Sequence, residues 1–130
     1  MGSGIETVKK FYDLFAQGKL EEMIELVSDD FVVTNPLPEP IPFGGAHKGP
    51  REYLAYVKKI ADVVEIEEFV VESFVSEGNR VVVFGRERAR VKATNRHYVM
   101  EWVHLFELEG DRMLSQREYN DTAEMRAAFV

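Results

Sequence analysis

The chain has no cysteine, which removes disulfide staples, thiolate nucleophiles and cysteine metal sites together and leaves the redox compartment open. It is short of positive charge, with 16 Lys and Arg against 23 Asp and Glu and a net charge of -7. That balance repels polyphosphate and anionic bilayers, so neither a nucleic-acid nor a membrane partner is expected. Long apolar runs are missing as well. No stretch approaches the ~20 residues of a membrane span, and the start has no basic segment leading into an apolar run of about 7–15 residues. A cytoplasmic protein is the expectation. The three histidines, His47, His97 and His104, are scattered without His-x-x-x-His spacing, so no metal site is expected. A phosphate-cradling glycine loop and a Gly-x-Ser-x-Gly elbow are both absent, which argues against nucleotide cofactors and serine-hydrolase chemistry, and no cofactor is expected.

What is present fits one domain, residues 1–130, large enough to bury a core and enclose a small pocket. Ser3 and Glu6 spell a capping box before Ile5, although the Met-Gly-Ser-Gly start also has the look of an engineered leader. Ile5, Val8, Phe11, Tyr12 and Phe15 recur at helical spacing until Gly18, and Leu20, Met23, Ile24 and Val27 repeat the pattern in a shorter helix. Phe31 to Thr34 reads as a strand. The stretch "NPLPEPIPFGGAHKG" has four prolines at alternate positions, too many missing N–H donors for a ladder, and reads as a loop that could rim a pocket. Gly49 and Pro50 open a third helix with Tyr53, Leu54, Val57, Ala61 and Val64 on one face. The period then changes to two. Strands are expected at Phe69–Ser76, Arg80–Thr94, Tyr98–Glu109 and Arg112–Asn120, with turns at Gly78-Asn79, Asn95-Arg96 and Gly110-Asp111, followed by a short helix from Thr122 to Phe129. Helices first and a meander second predict an α+β cone, three N-terminal helices packed on a curved, mainly antiparallel sheet with an internal pocket.

Two-residue turns at Asn95-Arg96 and Gly110-Asp111 would set Glu87 opposite His104 and His104 opposite Arg117, in a row on the covered face. Trp102 and Tyr119 would then be neighbours, and Arg86, Arg88 and Arg90 would meet Glu101, Glu107, Gln116 and Glu118 on the solvated face. A bulge would flip one strand. The row has a structural reading, a self-satisfied polar knot, and a functional one. In the latter Glu87 orients His104, whose ordinary pKa of ~6.5 suits proton transfer, and Arg117 stabilises developing negative charge. Asp121, followed by Glu124, reads as a helix cap or as a carboxylate at the pocket mouth. His47 and His97 read as solvated.

Three segments, "VKKFYDLFAQGKLEEMIELVSDDFVVTNP", "GGAHKGPREYLAYV" and "EWVHLFELEGDRMLSQREYNDTAEM", together resemble the SnoaL-like, ketosteroid isomerase-related group of the nuclear transport factor 2-like superfamily. The resemblance runs from about Ile5 to Phe129. It implies an α+β cone around a hydrophobic pocket, commonly a homodimer built through the sheet, and no single activity. Relatives include isomerases, polyketide cyclases, epoxide hydrolases, dehydratases and members that only bind. The positions that carry the steroid isomerases' tyrosine and base aspartate look like Phe11 and Asn35 here, and their second acid falls near Trp102 or Val103, so that machinery is not expected. His104 and Asp121 are placed like the acid–base pair of cyclase-like members; Glu87, Arg117 and Asp121 resemble the carboxylate–arginine set of epoxide hydrolases. The expectation is an acid–base enzyme, isomerase, cyclase or epoxide-hydrolase-like, that needs no cofactor and acts on a small hydrophobic molecule. Its catalytic candidates are His104, Asp121, Glu87 and Arg117, and its pocket candidates Trp102, Tyr119, Phe106, Phe11 and Asn35. The alternative is a non-catalytic ligand-binding or dimerisation module of the same fold, possibly an engineered scaffold.

Overall fold

A computed structural model describes residues 3–130. The side chain of Ser3, and with it the expected capping box, lies outside the described residues, as does the Met1-Gly2 start. Helices α1 (Ser3–Ala16), α2 (Leu20–Met23) and α3 (Pro50–Val63) and the C-terminal α4 (Thr122–Phe129) pack with strands β1 (Val27–Asn35), β2 (Gly45–Lys48), β3 (Val64–Glu77), β4 (Arg80–Val91), β5 (His97–Glu109) and β6 (Arg112–Asn120). The six strands form one sheet in the order β2-β1-β6-β5-β4-β3. All neighbours are antiparallel except β1 and β6, which run parallel. This is the α+β arrangement expected, with helices on one face of a curved, mainly antiparallel sheet.

Local chemistry explains the boundaries. Gly18, at φ 72°, ends the first helical segment in the left-handed region where a side chain is disfavoured. Pro50 stands at the start of α3, and the Glu52 carboxylate accepts from the Lys48 backbone N–H at 2.9 Å, tying the strand to the helix entry. The proline-rich stretch is a loop, as expected, but its end, Gly45–Lys48, pairs with β1 as a short edge strand. Val64 belongs to β3 rather than to the helix before it. Strand β3 carries two register shifts, at Ile66/Glu68 and Val71/Ser73, and such bulges add the twist that curves a sheet over its helices.

The expected register fails at both turns, in different ways. The β4–β5 connection is longer than two residues: Arg90 pairs with His97, and Asn95 takes the left-handed conformation at φ 62°. That error is even in residues, so each side chain keeps its face while the partners move; Glu87 sits opposite Met100, and His104 opposite Val83. The Gly110-Asp111 turn is as expected, but Leu108 pairs with Met113 while Glu107 pairs with Ser115, so Leu114 is a bulged extra residue. Beyond it every β6 side chain changes face. Gln116 and Glu118 turn inward and are buried, whereas Arg117 and Tyr119 turn out to solvent.

The core lies between the helices and the inner sheet face, with Trp102, Tyr98, Phe11, Phe31 and Phe106 among its largest buried members. Gly85 is required there, because a Cβ at this position would collide with the Trp102 ring and the Val70 carbonyl. The room that Gly85 opens is filled by tryptophan. Outside, Arg86 pairs with Glu68 at 2.6 Å and Arg88 with Glu67 at 3.0 Å, so the β4 arginines meet carboxylates mainly on β3. Val75, Phe84, Val99 and Tyr119 are large apolar or aromatic groups left exposed. No helix among the described residues is long and apolar enough to cross a membrane.

Candidate functional site

A cavity of about 350 Å³ opens between α1, α3 and the inner sheet face. Its wall is mostly apolar, with Phe11, Phe15, Val57, Ile60, Phe69 and Met100 contributing, the usual make-up of a small-molecule site with a few converging polar groups.

The first polar group is a chain of three side chains from three elements. Tyr12, on the inner face of α1, places its hydroxyl 2.6 Å from His104 Nδ1. On the other side of the ring, His104 Nε2 lies 3.2 Å from Glu118 Oε1. Glu118 is in turn held by the Tyr56 hydroxyl at 2.6 Å, by Gln116 Nε2 at 3.3 Å and, more loosely, by Asn35 Nδ2 at 3.5 Å. Asn35 also donates to the Tyr56 oxygen at 2.9 Å and accepts from Asn120 at 3.0 Å. His104 is clamped between rings, with Trp102 stacked 4.2 Å away and Tyr12 at 6.0 Å.

Charge follows from this geometry. Burial by itself would raise the Glu118 carboxyl, but His104, through its charge and its hydrogen bond, together with bonds from Tyr56 and Asn120, holds it below the usual carboxylate range. Glu118 is therefore a carboxylate that can only accept at His104 Nε2, and in the tautomer protonated there Nδ1 is the nitrogen left to accept from Tyr12. Burial, with the Glu118 charge adding to it, pushes the Tyr12 and Tyr56 hydroxyls well above their ordinary value. Neither becomes a tyrosinate; Tyr12 can only pass a proton through.

The second polar group is Glu87 with Tyr98. Glu87 projects inward from β4, and its Oε2 accepts from the Tyr98 hydroxyl at 2.8 Å. Burial raises its carboxyl to about 7, reinforced by the Glu118 charge and opposed by the Tyr98 hydrogen bond and His104.

Of the residues expected in the site, His104, Glu87, Phe11 and Asn35 line the cavity. Trp102 and Phe106 are buried against His104 without lining it. The Glu87–His104–Arg117 row does not form. Arg117 is exposed, pairs with Leu105 and lies over the Tyr119 ring at 5.5 Å; Tyr119 is 47% exposed. Asp121 caps α4, its Oδ1 accepting from the Glu124 N–H at 3.2 Å, and stays outside the cavity. His47 is a half-buried member of β2 packed 4.9 Å from Tyr56, not a solvated loop residue. Sequence reasoning missed Tyr12, Tyr56, Tyr98 and Glu118. Tyr12 was visible only as part of an apolar stripe, and Glu118 would have been found by allowing one bulge in β6. Among the described residues no cluster of three or more His, Asp or Glu side chains is placed to hold a metal ion.

A sequence profile of the SnoaL-like domain matches residues 8–116. Among solved structures, an NTF2-like protein from Burkholderia xenovorans LB400 is 30% identical, with a TM-score of 0.86 over 98% of this chain and 96% of the other. An NTF2-like protein from Burkholderia pseudomallei is 26% identical at a TM-score of 0.85, covering 98% of each chain. TerC, co-crystallised with polyporic acid, is 20% identical at 0.77 over 97% of each chain and shares the fold. No curated protein matches the chain.

Proposed function

The chain belongs to the SnoaL-like domain family, and from that premise we propose that it is an acid–base enzyme acting on a small, largely apolar molecule held in the cavity, with Tyr12, His104 and Glu118 as its proton relay. The observation that carries this reading is the Tyr12 hydroxyl 2.6 Å from His104 Nδ1, with Glu118 3.2 Å behind the ring. A weakly acidic C–H or O–H proton of the substrate passes to the Tyr12 oxygen as the tyrosyl proton passes to Nδ1. The resulting imidazolium is paired with the Glu118 carboxylate. Running the relay backwards returns the proton to a second atom of the same molecule, so the net change is an isomerisation or the first step of a cyclisation. General acid–base assistance of this kind contributes about 10²–10⁴-fold. The apolar wall excludes water and strengthens each interaction within it.

The test is hydrogen exchange from an enolisable bicyclic ketone such as β-tetralone, followed by NMR in heavy water. Exchange above the buffer rate, reduced about 10²-fold or more by Tyr12→Phe and by His104→Phe, is the expected result. Exchange at the buffer rate across a panel of such ketones, or exchange indifferent to Tyr12→Phe, would remove the enzyme reading. One observation favours the alternative of a binding module: Glu118 already has partners from three other elements, as a purely structural knot would.

The same reading extends to the outer sheet face. Exposed Phe84, Val99 and Tyr119 stand among arginines and glutamates of both signs, a surface that a second copy of the chain can cover with itself.

A further inference from the structure

Of the carboxyls that line the cavity, Glu118 belongs to the relay and Glu65 pairs with Arg90 at 3.7 Å, which leaves Glu87 unexplained. It takes part in no ion pair among the described residues. Its register neighbours are Phe69 on β3 and Met100 on β5, and its one hydrogen bond comes from Tyr98 onto Oε2. A carboxylate in such surroundings is costly unless a cation stands beside it.

The cavity does not supply that cation. Of the basic groups in its wall, His104 is committed to Glu118 at 3.2 Å, and Lys92 Nζ donates to the Ala61 carbonyl at 2.8 Å. Polar protons are committed in the same way: the hydroxyls of Tyr12, Tyr56 and Tyr98 go to His104, Glu118 and Glu87, and the Asn35, Gln116 and Asn120 amides to Tyr56, Glu118 and Asn35. What the wall offers a ligand is therefore mainly acceptors and aromatic faces, with the Tyr53 hydroxyl as a further polar group. Phe69 lies beside Phe15 at 5.4 Å and Tyr12 at 6.2 Å, and faces of this kind attract cations.

We infer that the Glu87 end of the cavity binds a positively charged amine, whose charge meets the Glu87 carboxylate while its apolar body lies against Phe69 and Met100. Glu87 stands four positions from Val83, the β4 partner of His104, so roughly 13 Å of strand separates the two backbone positions from which these groups project. An amine at Glu87 can present the far end of a bicyclic body to the relay. Binding at Glu87 does not require turnover, so this inference goes beyond the acid–base reading and stands or falls separately from it.

The test is the affinity of phenethylamine, benzyltrimethylammonium and the neutral ketone benzylacetone between about pH 5.5 and about pH 8.5, by calorimetry, for wild type and Glu87→Gln. Besides Glu87, the groups facing this end are Tyr98 and His104 from β5, Glu118 from β6, Tyr12 from α1, Glu65 from β3 and Lys92 beyond β4. Glu87 ionises as pH rises through about 7, so amine affinity should climb about tenfold across the range and level off above it. Benzylacetone should bind more weakly without that slope. Glu87→Gln should flatten the amine slope and cost about tenfold in affinity at the upper pH, leaving benzylacetone within about twofold. Tight binding of phenethylamine alone assigns the recognition to N–H donors; equal binding of benzyltrimethylammonium assigns it to charge, and either supports the inference. Benzylacetone binding best, with affinity falling as pH rises, would overturn it in favour of a neutral Glu87 donating to a carbonyl. An amine slope that survives in Glu87→Gln would overturn it too, by transferring the effect to His104. Should that variant not fold, the wild-type pH slope of the amine set against the flat response of the ketone decides alone.

Discussion

The hydroxyl of Tyr12 on the first helix lies 2.6 Å from Nδ1 of His104, a residue 92 positions later in the middle of β5. Tyr12→Phe removes the only polar partner that nitrogen has among the described residues, leaving a buried acceptor unpaired. The expected loss is about 1–3 kcal/mol of stability, read by urea unfolding. A loss near zero would mean that the ring nitrogen finds another partner and that the hydrogen bond is not a fixed part of the site.

Glu118 and Glu87 should give stability opposite dependences on pH. Glu118 is held below its ordinary value of 4.5 in the folded chain, so its contribution is complete above that value and is lost as pH falls through the folded-state pKa. Glu118→Gln should therefore flatten the acid limb of a melting-temperature profile.

Glu87 has the reverse sign. Its folded-state carboxyl is raised from 4.5 to about 7, so the folded chain binds more protons than the unfolded one between those values, and stability falls as pH rises through that window. Glu87→Gln should be close to neutral near pH 4.5 and stabilising by about 1–3 kcal/mol above pH 7. Equal melting shifts at both ends of the range would show that Glu87 is solvated like any surface acid.

Gly85→Ala places a methyl group against the Trp102 ring and the Val70 carbonyl. Overpacking at a site with backbone on one side should cost about 1–3 kcal/mol or more. Trp102 is the sole tryptophan, so its emission should shift as the ring is driven off His104. An unchanged spectrum would place the ring elsewhere.

If a second copy covers the outer sheet face, Phe84→Lys and Val99→Lys should each weaken self-association without affecting the melting of the monomer, as sedimentation velocity would show. A wild-type chain that sediments as a monomer at every concentration would exclude that pairing.

The elements were largely legible from periodicity, because α1, α3 and the four long strands each present one apolar face to a common core. The relay was only half legible. His104 was found because a histidine at an inward strand position breaks an apolar pattern, and its real partner was missed because β6 alternates polar residues on both faces: Ser115, Arg117 and Tyr119 against Gln116, Glu118 and Asn120. Hydropathy cannot choose between those sets. The choice is made by Leu114, whose extra position shows itself only in the pairing. Tyr12 was hidden for a different reason, since a tyrosine in an apolar helical stripe looks like core until its hydroxyl has a partner.

Leu114 thus does more than bend a strand. Were the bulge flattened with Leu114 kept as an ordinary ladder residue, the rest of β6 would rotate by half a turn and set a guanidinium in place of a carboxylate facing His104, whereas deleting Leu114 would leave Glu118 where it is. The electrical sign of the cavity floor is stored as a matter of counting, in whether one residue between the Gly110 turn and Gln116 is left out of the ladder.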